Sequence, residues 1–231
     1  MVKKYTIAFR ETRTPIVASA TKFGGQPYWL TEPQWPLSRA TGKPMRFICQ
    51  IALTPEVFGS VLGQMAYLFM TDPDSDEPWV DGTYEPDGGE NALILQPGRL
   101  IVPIAPLPTG PTLYRMVDVP GEPRRAAVAC EFATELEAGN EPDFVPAEVR
   151  RTWNKERQGV YDAQVPMNEN KIGGVPYFLQ GDEIPVCDPW RLLLQLDSCA
   201  VPFDINFGDA GVGYAFLDHT GAAGKFLWQC G

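Results

Sequence analysis

The chain reads as a β-rich α+β protein in which an internally duplicated strand unit packs as one compact body with few short helices. Two observations carry that expectation. KFGGQPYWL, residues 22–30, returns as KIGGVPYFL, residues 171–179, with six of nine positions identical. Weaker echoes follow in the same order: FICQI around Gln50 and LLLQL around Gln195, AYLFM around Tyr67 and GYAFL around Tyr214, LILQPG around Gln96 and FLWQCG around Gln229. The separation between partners shrinks overall along the chain, as expected of a duplicated unit with deletions in its second copy. Composition is the second observation. The 231 residues include 23 prolines, and each proline removes a backbone donor, which favours short elements and rigid loops over long helices.

Residues 1–21 form an extended lead-in, with TIAF and TPIVASA as strand candidates. The first repeat spans about 22–98. It opens on a Gly24-Gly25 turn and an aromatic arm, and a polar, proline-bearing loop follows. FICQIAL is a short apolar run rich in β-formers and predicts a buried strand. TPEVFGSVLG predicts a brief helix, with Thr54 as N-cap, Pro55 in the first turn and Glu56 at the positive end. MAYLFM and ALILQPG predict the next strands. The middle, about 99–168, is not repeated. LIVPIAP, LYRMVDV and AVACEFATEL are strand candidates, AGNEPDFVP a linker, and PAEVRRTWNKERQG a bridging helix with Val149, Trp153 and Arg157 on one face. The second repeat spans about 171–231 and ends in a YAFL–KFLW hairpin. The whole is expected to be a single domain, 1–231.

The net charge of −10 disfavours nucleic acid as a partner, because phosphate backbones need a basic stripe. It attracts basic partners instead. The N-terminus has no apolar signal core, and no run is long enough to span a membrane. The five cysteines are odd in number and lack a CxxC pair, which points to reduced thiols in a cytoplasm.

The residues Lys22, Gly24, Gly25 and Pro27, with Lys171, Gly173, Gly174 and Pro176, invite two readings. A Gly-Gly pair permits positive φ and close backbone approach, so the block can be a turn feeding a core strand. It can also be an anion nest with a lysine beside it, although neither phosphate-loop pattern is matched. Gln50 and Gln195 lie inside apolar runs, and a buried Gln must be hydrogen-bonded. Each is expected to bond backbone near its own Gly-Gly block, the two blocks being related by a pseudo-twofold axis.

The stretch 71–90 carries eight acids and no base, and the second repeat replaces it with a short turn. Asp72, Asp74 and Asp76 have the spacing of a calcium loop, but Glu77 stands where glycine is needed and Thr83 where the bidentate Glu is needed. A solvated acidic loop is therefore expected. Asp72, Asp74, Asp76, Glu77, Trp79 and Asp81, with Trp35, are the candidate binding residues, the tryptophans as apolar anchors. His219, the lone histidine, lies in a turn, and the cysteines show no metal-ligand spacing. No catalytic residue, metal or cofactor is assigned.

The pattern K-x-G-G-x-P-x-x-L, a loop ending G-x-P, then F-x-x-Q-I closely resembles the bacterial YwqG-like family. Here it is carried by Lys22, Gly24, Gly25, Pro27, Leu30, Trp35, Pro36, Gly42, Pro44, Phe47, Gln50 and Ile51. Lys171, Gly173, Gly174, Pro176, Leu179 and Gln195 repeat part of it. The resemblance implies a duplicated, mixed β-rich protein with no assigned enzymatic activity, and suggests an immunity role against secreted toxins. The same elements are similar to the eukaryotic programmed-cell-death-2 family, which implies chaperoning of a basic ribosomal protein. This chain departs from that family in lacking zinc-finger cysteines. The resulting expectation is a non-enzymatic protein-binding module, of toxin-immunity or client-chaperone type, with a basic protein partner. The rival is an enzyme or small-molecule binder using a cleft between the repeats.

Overall fold

The computed structural model describes residues 1–72, 81–98, 103–121 and 124–231. In chain order its elements are β1 (Val2–Glu11), β2 (Lys22–Gly24), β3 (Trp35–Pro36), β4 (Arg46–Ala52), α1 (Pro55–Phe58), β5 (Met65–Met70), β6 (Asn91–Gln96), β7 (Ile104–Ala105), β8 (Tyr114–Val117), β9 (Ala126–Ala129), β10 (Glu131–Glu141), α2 (Ala147–Arg150), α3 (Lys155–Gln164), β11 (Lys171–Gly173), β12 (Arg191–Asp197), β13 (Val212–Leu217) and β14 (Gly224–Gln229).

Ten strands form one sheet in the order β14-β13-β12-β11-β1-β10-β2-β4-β5-β6, and every pairing in it is antiparallel. The sheet curls until β14 packs against β6 without laddering to it, a nearly closed barrel-like arrangement. Strand makes up 37% and helix 8% of the described residues, which corrects the α+β expectation to a β-dominated fold. The prolines and the doubly buried strands leave helices only short connecting roles.

The sheet has an approximate twofold relation. Lys22, Phe23 and Gly24 lie opposite Ala133, Phe132 and Glu131 of β10. Lys171, Ile172 and Gly173 lie opposite Thr6, Tyr5 and Lys4 of β1. Exchanging β1 with β10 therefore exchanges the repeats, and the Ala8–Glu135 pair falls on the axis. A register shift between Phe47 and Cys49 of β4 recurs between Leu192 and Leu194 of β12.

MAYLFM reads as a continuous apolar run because β5 is buried on both faces. Ala66, Leu68 and Met70 face the interior shared with Leu194, Leu196, Ala215 and Phe226 of the second repeat. Met65, Tyr67 and Phe69 face outward and are covered by Trp29, Leu30 and Trp35 of their own arm. In the second repeat Tyr214 and Phe216 are covered by Phe178, Leu179 and Trp190. Period-two alternation thus separates a common core from two private ones.

Four local expectations change. Residues 14–20 are irregular, not strand. AGNE continues β10 to Glu141 rather than starting a linker. AVACEFATEL divides at Cys130, since β9 pairs with β8 outside the main sheet. The bridging helix is two helices, broken before Asn154, whose side chain accepts from the Arg157 amide as an N-cap. The brief helix after Thr54 forms with Pro at its start. No helix among the described residues is long and apolar enough to cross a membrane.

Candidate functional site

The repeated residues build the same clamp twice. Gly24 and Gly25 have φ of 68° and 65°, and Gly173 and Gly174 have 73° and 74°. A Cβ on Gly24 would lie 2.2 Å from the Cys130 carbonyl oxygen, and one on Gly25 2.3 Å from the Glu131 carboxyl carbon. The turn therefore needs glycine for both conformation and space. Lys22 Nζ donates to Glu131 Oε1 at 2.6 Å and to the carbonyls of Ile16 and Gln26 at 2.9 and 2.6 Å. Lys171 Nζ donates to Glu141 Oε1 at 2.6 Å, and the Val175 amide donates to Glu141 Oε2 at 2.7 Å. The anion at the second turn is thus one of the protein's own carboxylates.

Beyond each turn the arm is held from beneath. Gln50 Oε1 accepts from the Tyr28 amide at 2.8 Å while its Nε2 donates to the Ala18 and Ala20 carbonyls. Gln195 Oε1 accepts from the Tyr177 amide at 3.0 Å while its Nε2 donates to the carbonyls of Pro166, Met167 and Glu169. The Tyr67 hydroxyl donates to Tyr28 O, as Tyr214 does to Tyr177 O. Gln96 Oε1 accepts from the Leu30 and Thr31 amides, as Gln229 does from Leu179 and Gln180. Burial pushes the Tyr67 phenol up to about 12 and raises Tyr214 as well, so both remain neutral donors.

The two halves differ in what lies outside this clamp. Arg46 and Arg191 each open their strand four residues before the clamping Gln. Arg191 Nη1 donates to the carbonyls of Asp218 and His219, in the turn that joins β13 to β14. Arg46 instead meets the start of the acidic insertion: its Nη2 lies 3.2 Å from Asp72 Oδ1, its Nη1 donates to Asp204 O, and its guanidinium covers the Tyr114 ring at 5.0 Å. Burial raises the Asp72 carboxyl above its usual range and outweighs the opposing pull of Arg46.

The far end of the insertion is also fixed. Glu90 is buried and accepts from the Thr71 hydroxyl at 2.6 Å and the Ala40 amide at 2.8 Å. Asp87 pairs with Lys225 of β14 at 2.6 Å, and Tyr84 meets Trp228 edge-on. Residues 81–90 therefore lie across the β6–β14 seam and join the repeats. Of the candidate binding residues, Asp72 and Asp81 sit at either side of the stretch 73–80. Asp74, Asp76, Glu77 and Trp79 lie outside the described residues. Trp35 is fully buried, with Nε1 donating to Met45 O at 2.8 Å. This corrects its assignment as a surface anchor: its polar, proline-bearing loop folds back over β5.

Two concave sites flank the Gly-Gly turns. One, of about 210 Å³, lies between α1 of the first repeat and the second turn, lined by Val57, Phe58, Gly173, Gly174, Trp190 and Arg191 among others. The other, of about 190 Å³, lies at the first turn and is lined by Ile16, Val17, Lys22, Pro27, Tyr28 and Glu131 among others. His219 is exposed in its turn. All five cysteines are unpaired; burial pushes Cys130 up to about 11 and raises Cys49 too, which suppresses thiolate chemistry at both. Among the described residues no group of three His, Cys, Asp or Glu converges as a metal site.

Sequence reasoning missed Arg46, Arg191, Glu131 and Glu141. The two arginines carried a signal, being equally spaced before Gln50 and Gln195. The two glutamates carried none, since both lie in the unrepeated middle. No curated protein matches this chain. A family model described as a domain of unknown function, DUF1963, matches residues 108–225, from within the middle segment through most of the second repeat. The match spans just over half of the chain, which therefore belongs to the DUF1963 family.

Proposed function

We propose that this protein is a non-enzymatic binding module for a basic protein, with the acidic insertion as part of the contact surface. One observation carries the proposal. The insertion is tied down at both ends, by Arg46–Asp72 and by Glu90 with Thr71, on a framework that the other repeat closes with a short turn. None of the clamp's hydrogen bonds uses a residue of the insertion, and surface insertions outside a repeated framework often carry function. The net charge of −10 favours a cationic partner. The motif resemblance to YwqG-like and, more distantly, programmed-cell-death-2 proteins supports toxin immunity or client chaperoning as the form of that role, in a reducing cytoplasm. Replacing residues 73–80 by a short turn tests the proposal: capture of a basic partner from the native cell should weaken while the fold persists. Undiminished capture would refute it.

A second reading rests on the pocket of about 210 Å³ between α1 and Gly173–Gly174. It is an apolar cleft between the repeats whose charged lining residues, Lys3 and Arg191, are both cationic. It favours a small apolar anion. Saturable binding of benzoate, lost in Arg191→Gln, would support that reading.

A further inference from the structure

We infer that the pocket at the first Gly-Gly turn is a receptor for a primary ammonium group, and that its natural guest is a lysine side chain of the basic partner. The ammonium affinity follows from this site alone. The identity of the guest rests on the basic-partner reading above.

The observation is an unequal use of the two carboxylates that hold the turn lysines. Glu141, at the second turn, holds two lysines and an amide: Lys171 at 2.6 Å and Lys4 at 3.3 Å on Oε1, and the Val175 amide at 2.7 Å on Oε2. Its side chain is fully buried. Glu131, at the first turn, holds one lysine and one amide, and both fall on Oε1: Lys22 at 2.6 Å and the Ile16 amide at 3.1 Å. Among the described residues Glu131 Oε2 receives no hydrogen bond. The residue is 9% exposed, and it lines a pocket with Ile16, Val17, Pro27 and Tyr28.

Glu131 Oε2 is reached by solvent and has no donor among the described residues, so it is an open acceptor for a guest. The second turn seals its carboxylate with a second lysine on Oε1 and an amide on Oε2. The first turn has no second lysine among the described residues, and a pocket opens beside its carboxylate instead. Its walls suit a lysine. Pro15, Val17 and Pro27 offer apolar surface to the four-carbon stem, and Tyr28 adds an aromatic wall, while the head meets the carboxylate. A carboxylate or phosphate guest would face Glu131 directly and be repelled. Lys22 has no donor left for such a guest, because its ammonium already donates to three acceptors.

The test uses n-butylammonium as the probe on the full chain, followed by amide NMR shifts. Saturable shifts are expected at the amides of Ile16, Val17, Gly25, Gln26 and Tyr28, none at those of 171–175 and 177, and none anywhere with 1-butanol. Glu131→Gln should weaken binding by roughly tenfold or more, the value of a charge-assisted hydrogen bond. Should that variant fail to fold, the ammonium-against-alcohol comparison on the natural protein decides alone. Equal response to 1-butanol, no saturation, equal shifts at the second turn, or undiminished binding in a folded Glu131→Gln would each overturn the inference. Deleting residues 73–80 should leave probe binding unchanged, so failure of the insertion as a contact surface and failure of this pocket are separately visible.

Discussion

Glu131 and Lys4 occupy equivalent positions on the two central strands, the first opposite Gly24 and the second opposite Gly173. The approximate twofold thus relates an acid to a base. The first repeat draws its carboxylate from that position, to meet Lys22. The second has a lysine there, takes its carboxylate from Glu141 at the far end of β10, and adds Glu169, which pairs with Lys4 and accepts from Thr6. Two ion pairs with one role have diverged, one partly open to a pocket and the other sealed.

Sealing sets the energetics. Lys171 and Glu141 side chains are both 0% exposed, so removing one partner strands a buried charge. Glu141→Gln should destabilise the protein by about 3–5 kcal/mol in urea unfolding. Lys171→Met with Glu141→Leu should recover part of that loss, because replacing both partners removes the desolvation penalty. Glu131→Gln should cost less, since Lys22 keeps two carbonyl acceptors. An Glu141→Gln variant as stable as the natural protein would show that the sealed pair does not hold the second turn.

The clamping glutamines allow a symmetric comparison. Gln50→Leu strands the Tyr28 amide and two carbonyls, and Gln195→Leu strands the Tyr177 amide and up to three. Each should cost about 1–3 kcal/mol. β4 and β12 are separated by four intervening strands, so the double variant should be additive within about 0.5 kcal/mol. Marked non-additivity in denaturant titrations would mean that the two arms communicate through the shared core.

How far these features were legible in the sequence follows from where each partner comes. The Gly-Gly turns and Gln50 and Gln195 could be read because both copies carry them at matched spacing. Tyr67, Gln96 and their partners were visible as echoes, though an apolar strand gives no hint that one hydroxyl reaches across to an arm. Glu131 and Glu141 were not legible, because their partners are set by strand pairing over more than a hundred residues and over thirty residues of chain. Trp35 is misleading because a polar loop need not point outward, and this one folds back over an aromatic face. The single bridging helix misleads for a related reason: Val149, Trp153 and Arg157 share a helical spacing, yet the Asn154 cap starts a new helix between them.

Asp72 predicts a pH dependence with a definite sign. Burial raises its folded pKa above the ordinary 3.8. Between 3.8 and that raised value the folded state holds more protons than the unfolded chain. Its contribution is therefore fully present below 3.8 and is lost as pH rises through the folded pKa. Asp72→Asn removes this term, so the stability of the natural protein relative to the variant should fall as pH rises from 3.8. Chemical unfolding of both proteins across that window is the check, and an opposite slope would mean that Arg46, not burial, dominates the site.

The insertion makes the most direct functional prediction. Its anchors lie outside 73–80: Asp72 on Arg46, Glu90 on Thr71 and Ala40, Asp87 on Lys225. Replacing 73–80 with a short turn leaves every one of these in place, so the melting temperature should barely move. The change does remove Asp74, Asp76 and Glu77, three carboxylates with no base among them. Charges of that kind steer encounter more than they tighten the final complex. Association with a basic partner should therefore slow, most at low salt, and its rate should lose much of its ionic-strength dependence, while dissociation changes little. Stopped-flow association at several salt concentrations separates the two rates. If the shortened protein keeps both its association rate and its salt slope, the steering field lies elsewhere on this acidic surface, and the insertion has no part in recognition.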